Sequence, residues 1–261
     1  MDAEISAREL AVRCHWHESK TSRIENARTA PSGSDIRAWC RACGADDRAA
    51  DLIEANRQSA EASVEWQRLQ RAGLRRLQES VTTLYRRTRL FRVYCSDVVP
   101  GFLQTPAYAS ALLSSIAAFR AIPDDVSDAV EARMKRNSVV TEGDHRSSFV
   151  LEESVLRYRI ADTDTMAGQL GHLLSAMTFP RVSLGIIPFS AQRSLWPVAT
   201  FTIFDTNRVH ADSLEAAHGL TQPSQVDLYL RAFDRLSQCA VHGAAARSLL
   251  ANALTALDEQ R

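Results

Sequence analysis

The sequence predicts two unlike regions: a mainly α N-terminal segment that runs into a long helical linker, and an α+β domain that takes the remainder. Three observations lead there. The chain has 261 residues, too many for one small helical module and enough for two domains that each bury a core. Up to about Arg89 the apolar residues recur at helical spacing between capping signals. From Leu90 onward, alternating and continuous apolar runs are interleaved with helical ones, the mixture that an α+β fold requires.

Charge and composition narrow the field. Thirty-one Lys and Arg balance 31 Asp and Glu, which argues against a generally basic nucleic-acid protein and against an acidic disordered chain. Any DNA contact is then local. The N-terminus "MDAEISAREL" has no basic flank, apolar run or small-residue cleavage site, and no stretch approaches the roughly 18 apolar residues of a membrane span. A soluble cytoplasmic protein is expected, with no membrane partner. Five cysteines, odd in number and sparse, argue against a disulfide framework. Cys14-x2-His17 and Cys40-x2-Cys43 offer a zinc-like spacing, but both pairs lie in helical patterning where Cys40 and Cys43 accompany Ile36 and Trp39 on an apolar face. Core packing is the expected role, with no metal or other cofactor.

Taken in order, Ser6 stands three residues before Glu9, a capping-box pattern that starts a helix at Ala7 and carries it to about Cys14. After a break at His15 and Trp16, a second helix spans Glu18 to Asn26. It puts Thr21 and Ile24 on one side and Ser19, Ser22, Arg23 and Asn26 on the other. Pro31 closes the turn, Ser32 with Asp35 forms another capping box, and "DIRAWCRACG" runs to Gly44 as a C-terminal cap.

The stretch "ARELAVRCHWHESKTSRIENARTAPSGSDIRAWCRACG" resembles the Xre type of helix-turn-helix regulators, through "SKTSRIEN", the trailing "PS" and "RAW". The resemblance covers about the first forty-five residues, so a domain is expected over 1–45. It implies a recognition helix in the major groove of double-stranded operator DNA, supplied by a homodimer on two half-sites. Glu18, Ser19 and Ser22 would then face bases, while Lys20, Arg23 and Arg28 approach phosphates. Glu25 is expected to brace the helix. Two departures stand out. His17 and Glu18 occupy the positions where this pattern usually has a serine cap and a glutamine; a carboxylate suits a helix N-terminus but is repelled by phosphates, and it favours a cytosine or adenine amino group. The helix that normally precedes "ISARELA" is absent. An N-terminally incomplete domain is therefore expected, with Leu10, Ile24, Ile36 and Trp39 partly uncovered and the start placed inside a longer reading frame.

From Asp46 to about Arg89, Leu52, Val64, Trp66, Leu69, Leu74, Leu77, Val81 and Leu84 recur loosely at helical spacing. One or two long helices are expected to form a linker over 46–91. Trp66 to Arg92 holds eight arginines against Glu79 alone, read as a solvated helix face, with accessory phosphate contact or a partner surface as the functional alternative.

The α+β domain is expected over 92–261. "LFRVYCSDVV" alternates as a strand, Pro100-Gly101 turns, and a helix starts after Thr105 with Pro106 at its first position. Further strands are expected at "SSFVLEESVLRY", "RVSLGIIPF" and "VATFTIFD", with helices around Ala129 to Asn137 and Met166 to Met177. Two amphipathic helices close the chain, one facing inward with Val226, Tyr229, Leu230, Phe233 and Leu236, the other with Leu249, Leu250, Ala253, Leu254 and Leu257. The succession "VVPGFLQTPAYA", "FVLEESVLR", "QLGHLL", "VSLGIIPFS", "FTIFD" and "YLRAFDRL" resembles the C-terminal domain of actinobacterial WhiJ-like, antitoxin-like regulators. The resemblance implies a transcription regulator paired with a small neighbour-encoded protein.

Catalysis has no motif behind it: the sequence holds no Gly-rich phosphate loop, nucleophile elbow, metal-protease helix or kinase signature. His172 with Asp162 or Asp164 reads better as a helix with its cap, Thr163 and Asp164 being the capping choice. Trp196, Pro197 and Phe201 read as core. The expected function is that of a dimeric, non-enzymatic, DNA-binding transcriptional regulator whose C-terminal domain binds a small partner protein or a ligand. The alternative is an antitoxin-like interaction module that has lost DNA binding.

Overall fold

Three short helices open the chain in a computed structural model that describes residues 5–53, 55–56, 73–212 and 217–259. The chain divides into two units, Met1–Glu65 and Trp66–Arg261. In the first, α1 (Ala7–Arg13), α2 (Glu18–Glu25) and α3 (Gly33–Ala42) are followed by a 3-10 turn at Asp46–Arg48 and helical residues 49–53. Ser6 caps α1 by accepting the Glu9 N–H at 3.2 Å. The Glu9 carboxylate turns to Arg13, so only half of the expected box forms. At α3 the full box is present between Ser32 and Asp35.

All three helices end in the same way. The residue after each C-cap is left-handed, His15 at φ 54°, Ala27 at φ 52° and Gly44 at φ 67°. In each case the following amide reaches back to close the last turn: Trp16 to the Ala11 carbonyl, Arg28 to that of Arg23 and Ala45 to that of Cys40. This is the Schellman arrangement, and it satisfies carbonyls that would otherwise be orphaned. Leu10, Ala11, Cys14, Thr21, Ile36 and Cys40 are buried between the helices. Of the four side chains expected to be uncovered, Leu10 and Ile36 are enclosed, while Ile24 and Trp39 are half-buried. Trp16 meets Trp39 edge-on with ring centroids 5.9 Å apart.

The second unit is built on a six-stranded mixed sheet in the order β3-β2-β1-β4-β5-β6. Its strands are β1 (Leu90–Cys95), β2 (Arg146–Glu152), β3 (Val182–Ile187), β4 (Phe201–Phe204), β5 (Arg208–Asp212) and β6 (Ala217–Leu220). β1 to β3 are parallel and the remaining pairs antiparallel. Parallel neighbours need crossovers. α6 (Pro106–Arg120) and α7 (Val126–Asn137) carry the chain from β1 to β2, and α8 (Thr163–Ala176) carries it from β2 to β3. Period-two alternation divides the sheet between two cores. Phe91, Val93, Phe149, Leu151, Leu184, Ile186 and Phe204 pack with α8 and with α10 (Gly243–Asp258). On the other face Tyr94, Val150, Ile187, Phe201, Ile203 and Val209 pack with α9 (Pro223–Cys239). The second half of "SSFVLEESVLRY" is a 3-10 turn, Glu153–Leu156. Val155 and Leu156 both enter the first core, which consecutive strand residues cannot do.

Residues expected in the linker belong partly to this unit. α4 (Leu74–Ser80) and α5 (Thr82–Arg87) break at Val81. They are held by packing: Leu74 joins Leu113, Ala117, Val126 and Ala129 in a third cluster, and Tyr85 stacks on Phe102 at 4.7 Å. Val64, Trp66 and Leu69 lie outside the described residues, as do Arg68 and Arg71 of the basic stretch. Trp196, expected in the core, is 72% exposed, whereas Phe201 is buried. The segment between β3 and β4 is tied down instead by Arg193, whose Nη1 donates to the buried Glu152 carboxylate at 2.8 Å, and that carboxylate also accepts the Tyr94 hydroxyl at 2.8 Å.

Asp125, at the start of α7, caps α4 from a distance, accepting the Leu74 and Arg75 N–H groups at 2.8 and 2.9 Å. The approach requires Gly73, which sits at φ +99° and whose Cβ, if present, would lie 2.3 Å from the Asp125 carboxylate. Gly73→Ala is expected to lower the stability of this unit by about 1 to 3 kcal/mol, through backbone strain and loss of the cap. Chemical denaturation of parent and variant checks this; an unchanged midpoint would contradict it.

Candidate nucleic-acid interface

α1, a turn of four residues and α2 form a helix-turn-helix whose second helix is held from three sides. His17 is the N-cap of α2, its Nδ1 accepting the Ser19 N–H at 3.2 Å. An imidazole nitrogen with an exposed lone pair does here what a serine oxygen does elsewhere. Arg8 of α1 pairs with Glu18 at 3.2 Å. Arg13 of α1 donates to the Ala42 carbonyl at the C-terminal end of α3 at 3.0 Å, where a cation is favoured. Lys20 of α2 reaches Asp35 of α3 at 2.7 Å and lies 4.6 Å from the centre of the Trp16 ring. Each pair of helices therefore has its own polar bridge.

Lys20, expected to approach phosphates, is engaged within the unit. Its ammonium is half-buried and engaged by a carboxylate and an aromatic face, so it braces α2 against α3. Glu18, Ser19, Ser22, Arg23 and Arg28 are all exposed. Ser19 Oγ shares a hydrogen bond of 2.8 Å with the His17 ring, and Ser22 receives the Asn26 amide on its carbonyl at 2.8 Å. Among the described residues, the Arg23 and Arg28 side chains make no hydrogen bond or ion pair. The buried face of α2 is carried by Thr21, whose hydroxyl has no partner among the described residues.

Cys14 and Cys40 sit inside the unit, and burial pushes both thiols above their ordinary range. Among the described residues, no group of three His, Cys, Asp or Glu is placed to hold a metal ion. In the second unit, Asp162 is the cap of α8, accepting the Thr165 N–H at 2.8 Å. The capping residue is thus neither Thr163 nor Asp164. His172 is half-buried along α8, and burial lowers its pKa. Among the described residues, no helix is long and apolar enough to cross a membrane.

Two helices joined by a tight turn, the second presenting a polar face, define a helix-turn-helix protein. A helix-turn-helix domain matches residues 1–53, and the domain of unknown function DUF5753 matches residues 78–252. The second match spans more than half of the chain, which belongs to the DUF5753 family. Comparison with curated proteins finds no match.

The hydrogen bond from Lys20, ahead of those from Ser32, holds Asp35 below the ordinary carboxylate pKa of 3.8. A depressed carboxylate stabilises the fold above its unfolded pKa, and that contribution is lost as pH falls through the folded value. Asp35→Asn is expected to cost the first unit on the order of 1 kcal/mol at pH 7. The difference from the parent should shrink as pH falls below 3.8. Thermal unfolding from pH 7 to pH 3, followed by helical circular dichroism, measures it; a gap independent of pH would contradict the assignment.

Proposed function

We propose that the chain is a cytoplasmic, non-enzymatic transcriptional regulator of the Xre type. It binds an operator in double-stranded DNA through α2, as a homodimer on two half-sites. Its DUF5753 unit is WhiJ-like and receives a small neighbour-encoded partner protein or a small ligand. The observation that carries the DNA reading is the distribution of positive charge around α2. Arg8, Arg13 and Lys20 are each committed to a partner within the unit, whereas Arg23 and Arg28 are exposed without one among the described residues. Phosphate neutralisation needs cations without a resident counter-charge. Ser19 and Ser22 share a helix face with Arg23 and supply hydroxyls that both donate and accept at base edges. The non-enzymatic reading rests on the sequence, in which no catalytic motif is found.

A second reading, an antitoxin-like interaction module without DNA binding, is favoured by two features. Met1 to Ala45 carries seven basic against six acidic residues, and an exposed carboxylate, Glu18, stands at the first position of α2.

The two readings separate under fluorescence anisotropy with selected duplexes across a salt series. Arg23→Ala is expected to weaken binding to all sequences and to reduce the salt slope by about 1, since one phosphate contact is lost. Substitutions of Ser19 and Ser22 should change the preferred base instead. Equal affinity of parent and Arg23→Ala on every duplex would favour the interaction module. Glu18→Gln is expected to raise affinity, most strongly at low salt, because it removes a carboxylate near the phosphates and releases Arg8. Weaker operator binding by this variant would mean that Glu18 contacts a base directly, most simply a cytosine amino group.

A further inference from the structure

A cleft of the second unit encloses about 810 Å³ and is lined by Tyr85 and Arg86 of α5, Lys135 and Arg136 of α7, Val139 and His145, with others. Its volume lies within the range of small-ligand sites. Arg136 is the buried cation of its lining. The side chain is only 7% exposed. It lies over the Tyr85 ring at 4.6 Å and donates from Nη1 to the Gln78 amide oxygen at 3.0 Å, and its buried Nε has no partner. One turn earlier, Arg133 donates from Nε to the same Gln78 oxygen at 3.1 Å and from Nη1 to the amide oxygen of Gln104.

Two guanidinium groups therefore share one neutral oxygen. Among the described residues, neither has a carboxylate within 4.0 Å. Burial first, then the charge of Arg136, push Arg133 down to about 10. An amide oxygen and an aromatic face soften buried positive charge but do not neutralise it. The acidic residues on the rim do not restore the balance. Glu79 is paired with Arg75 at 2.9 Å, and Glu142 is exposed. Arg86 and Lys135 add two further cations beside Arg136.

We propose that this cleft binds a small, multiply charged anion of the organic-phosphate class, seated among Arg136, Lys135 and Arg86. The proposal deepens the effector reading of the DUF5753 unit and rests on it for any consequence at the DNA. The anion supplies the counter-charge that the unit lacks. Several cations converging from two helices suit a phosphate dianion. A compact ligand can enter the cleft, whereas the phosphates of a duplex meet exposed cations and do not approach a guanidinium buried to this degree.

The test uses the full-length protein without DNA, so its outcome is independent of the helix-turn-helix reading. Inorganic pyrophosphate is titrated at constant ionic strength by calorimetry, and thermal unfolding is followed in parallel, with sulfate and malonate as comparison anions. Saturable binding of one pyrophosphate per chain, with a matching rise in the unfolding midpoint and weaker binding of malonate, is expected. The double variant Arg86→Ala, Lys135→Ala, altered at positions open to the cleft, should bind at least about tenfold more weakly, as the loss of charge-assisted contacts implies. Arg136→Met should lose the pyrophosphate response and, without anion at low ionic strength, melt above the parent, because an uncompensated charge has been removed. Absence of saturable pyrophosphate binding by the parent overturns the proposal, as does an unchanged affinity in the double variant. So does an Arg136→Met chain that melts below the parent without anion. If the double variant loses affinity for duplex DNA while pyrophosphate fails to bind the parent, the cleft is an accessory DNA contact and the proposal is wrong.

Discussion

β1 is buried on both faces and hydrogen-bonded along both edges, and most of the second unit is arranged around that constraint. Phe91, Val93 and Cys95 point into one core and Tyr94 into the other, with Leu90 and Arg92 partly covered, so most of the strand is shut off from water and its backbone groups must be paired within the protein. A parallel β2 on one side obliges the chain to make a crossover, and that crossover is α6 and α7. An antiparallel β4 on the other side pairs Phe91 with Phe204 and Tyr94 with Phe201. Even the entrance to the strand is closed from outside: the Asp205 carboxylate accepts the Arg89 and Leu90 N–H groups, and Arg92 returns a hydrogen bond to the Asp205 carbonyl. The charged wall of the cleft is a by-product of the same crossover, since α7 carries Arg133, Lys135 and Arg136 to where α4 and α5 pack.

The first unit solves a different problem. Its core is small, six buried side chains among the described residues of three helices of seven to ten residues and their caps, and helices this short are marginal without tertiary support. Polar bridges between each pair of helices and a Schellman closure on every helix make up the difference. Two of those closures use His15 and Ala27 in left-handed geometry, where each side chain costs about 1 to 2 kcal/mol relative to glycine. The unpartnered Thr21 hydroxyl is a further local cost. Both costs lie on or beside α2, the helix that carries the exposed Ser19, Ser22 and Arg23.

What was legible in the sequence follows from how local each signal is. Ser6, Ser32, Thr105 and Pro106 are local capping signals, and the helices they start begin where the sequence puts them. The C-terminal helices bury the predicted faces because a 3.6-residue period over four or more turns is hard to mistake. β5 and β6 were not legible: they find their place in the sheet by pairing with β4 and with each other, which no local signal announces. Tertiary partners were the larger omission. Nothing near Lys20 announces Asp35, and nothing near Leu74 announces Asp125. The stretch from Ala129 to Asn137 was legible as a helix, but the burial of Arg136 against Tyr85 and Gln78 depends on residues more than forty positions away.

The placement of β1 also sets an order of events during synthesis. Its neighbours are residues 146–151 on one edge and 201–204 on the other, so the strand at the centre of the sheet leaves the ribosome early and waits for most of the chain before both of its edges are covered. Met1–Glu65, by contrast, forms a compact unit by itself. Domains tend to fold as they emerge, and those with distant pairings fold slowly. A nascent chain halted near residue 200 would therefore hold an apolar strand still open along the edge that β4 later covers. An open strand edge of that kind is a template for pairing with other chains until β4 covers it.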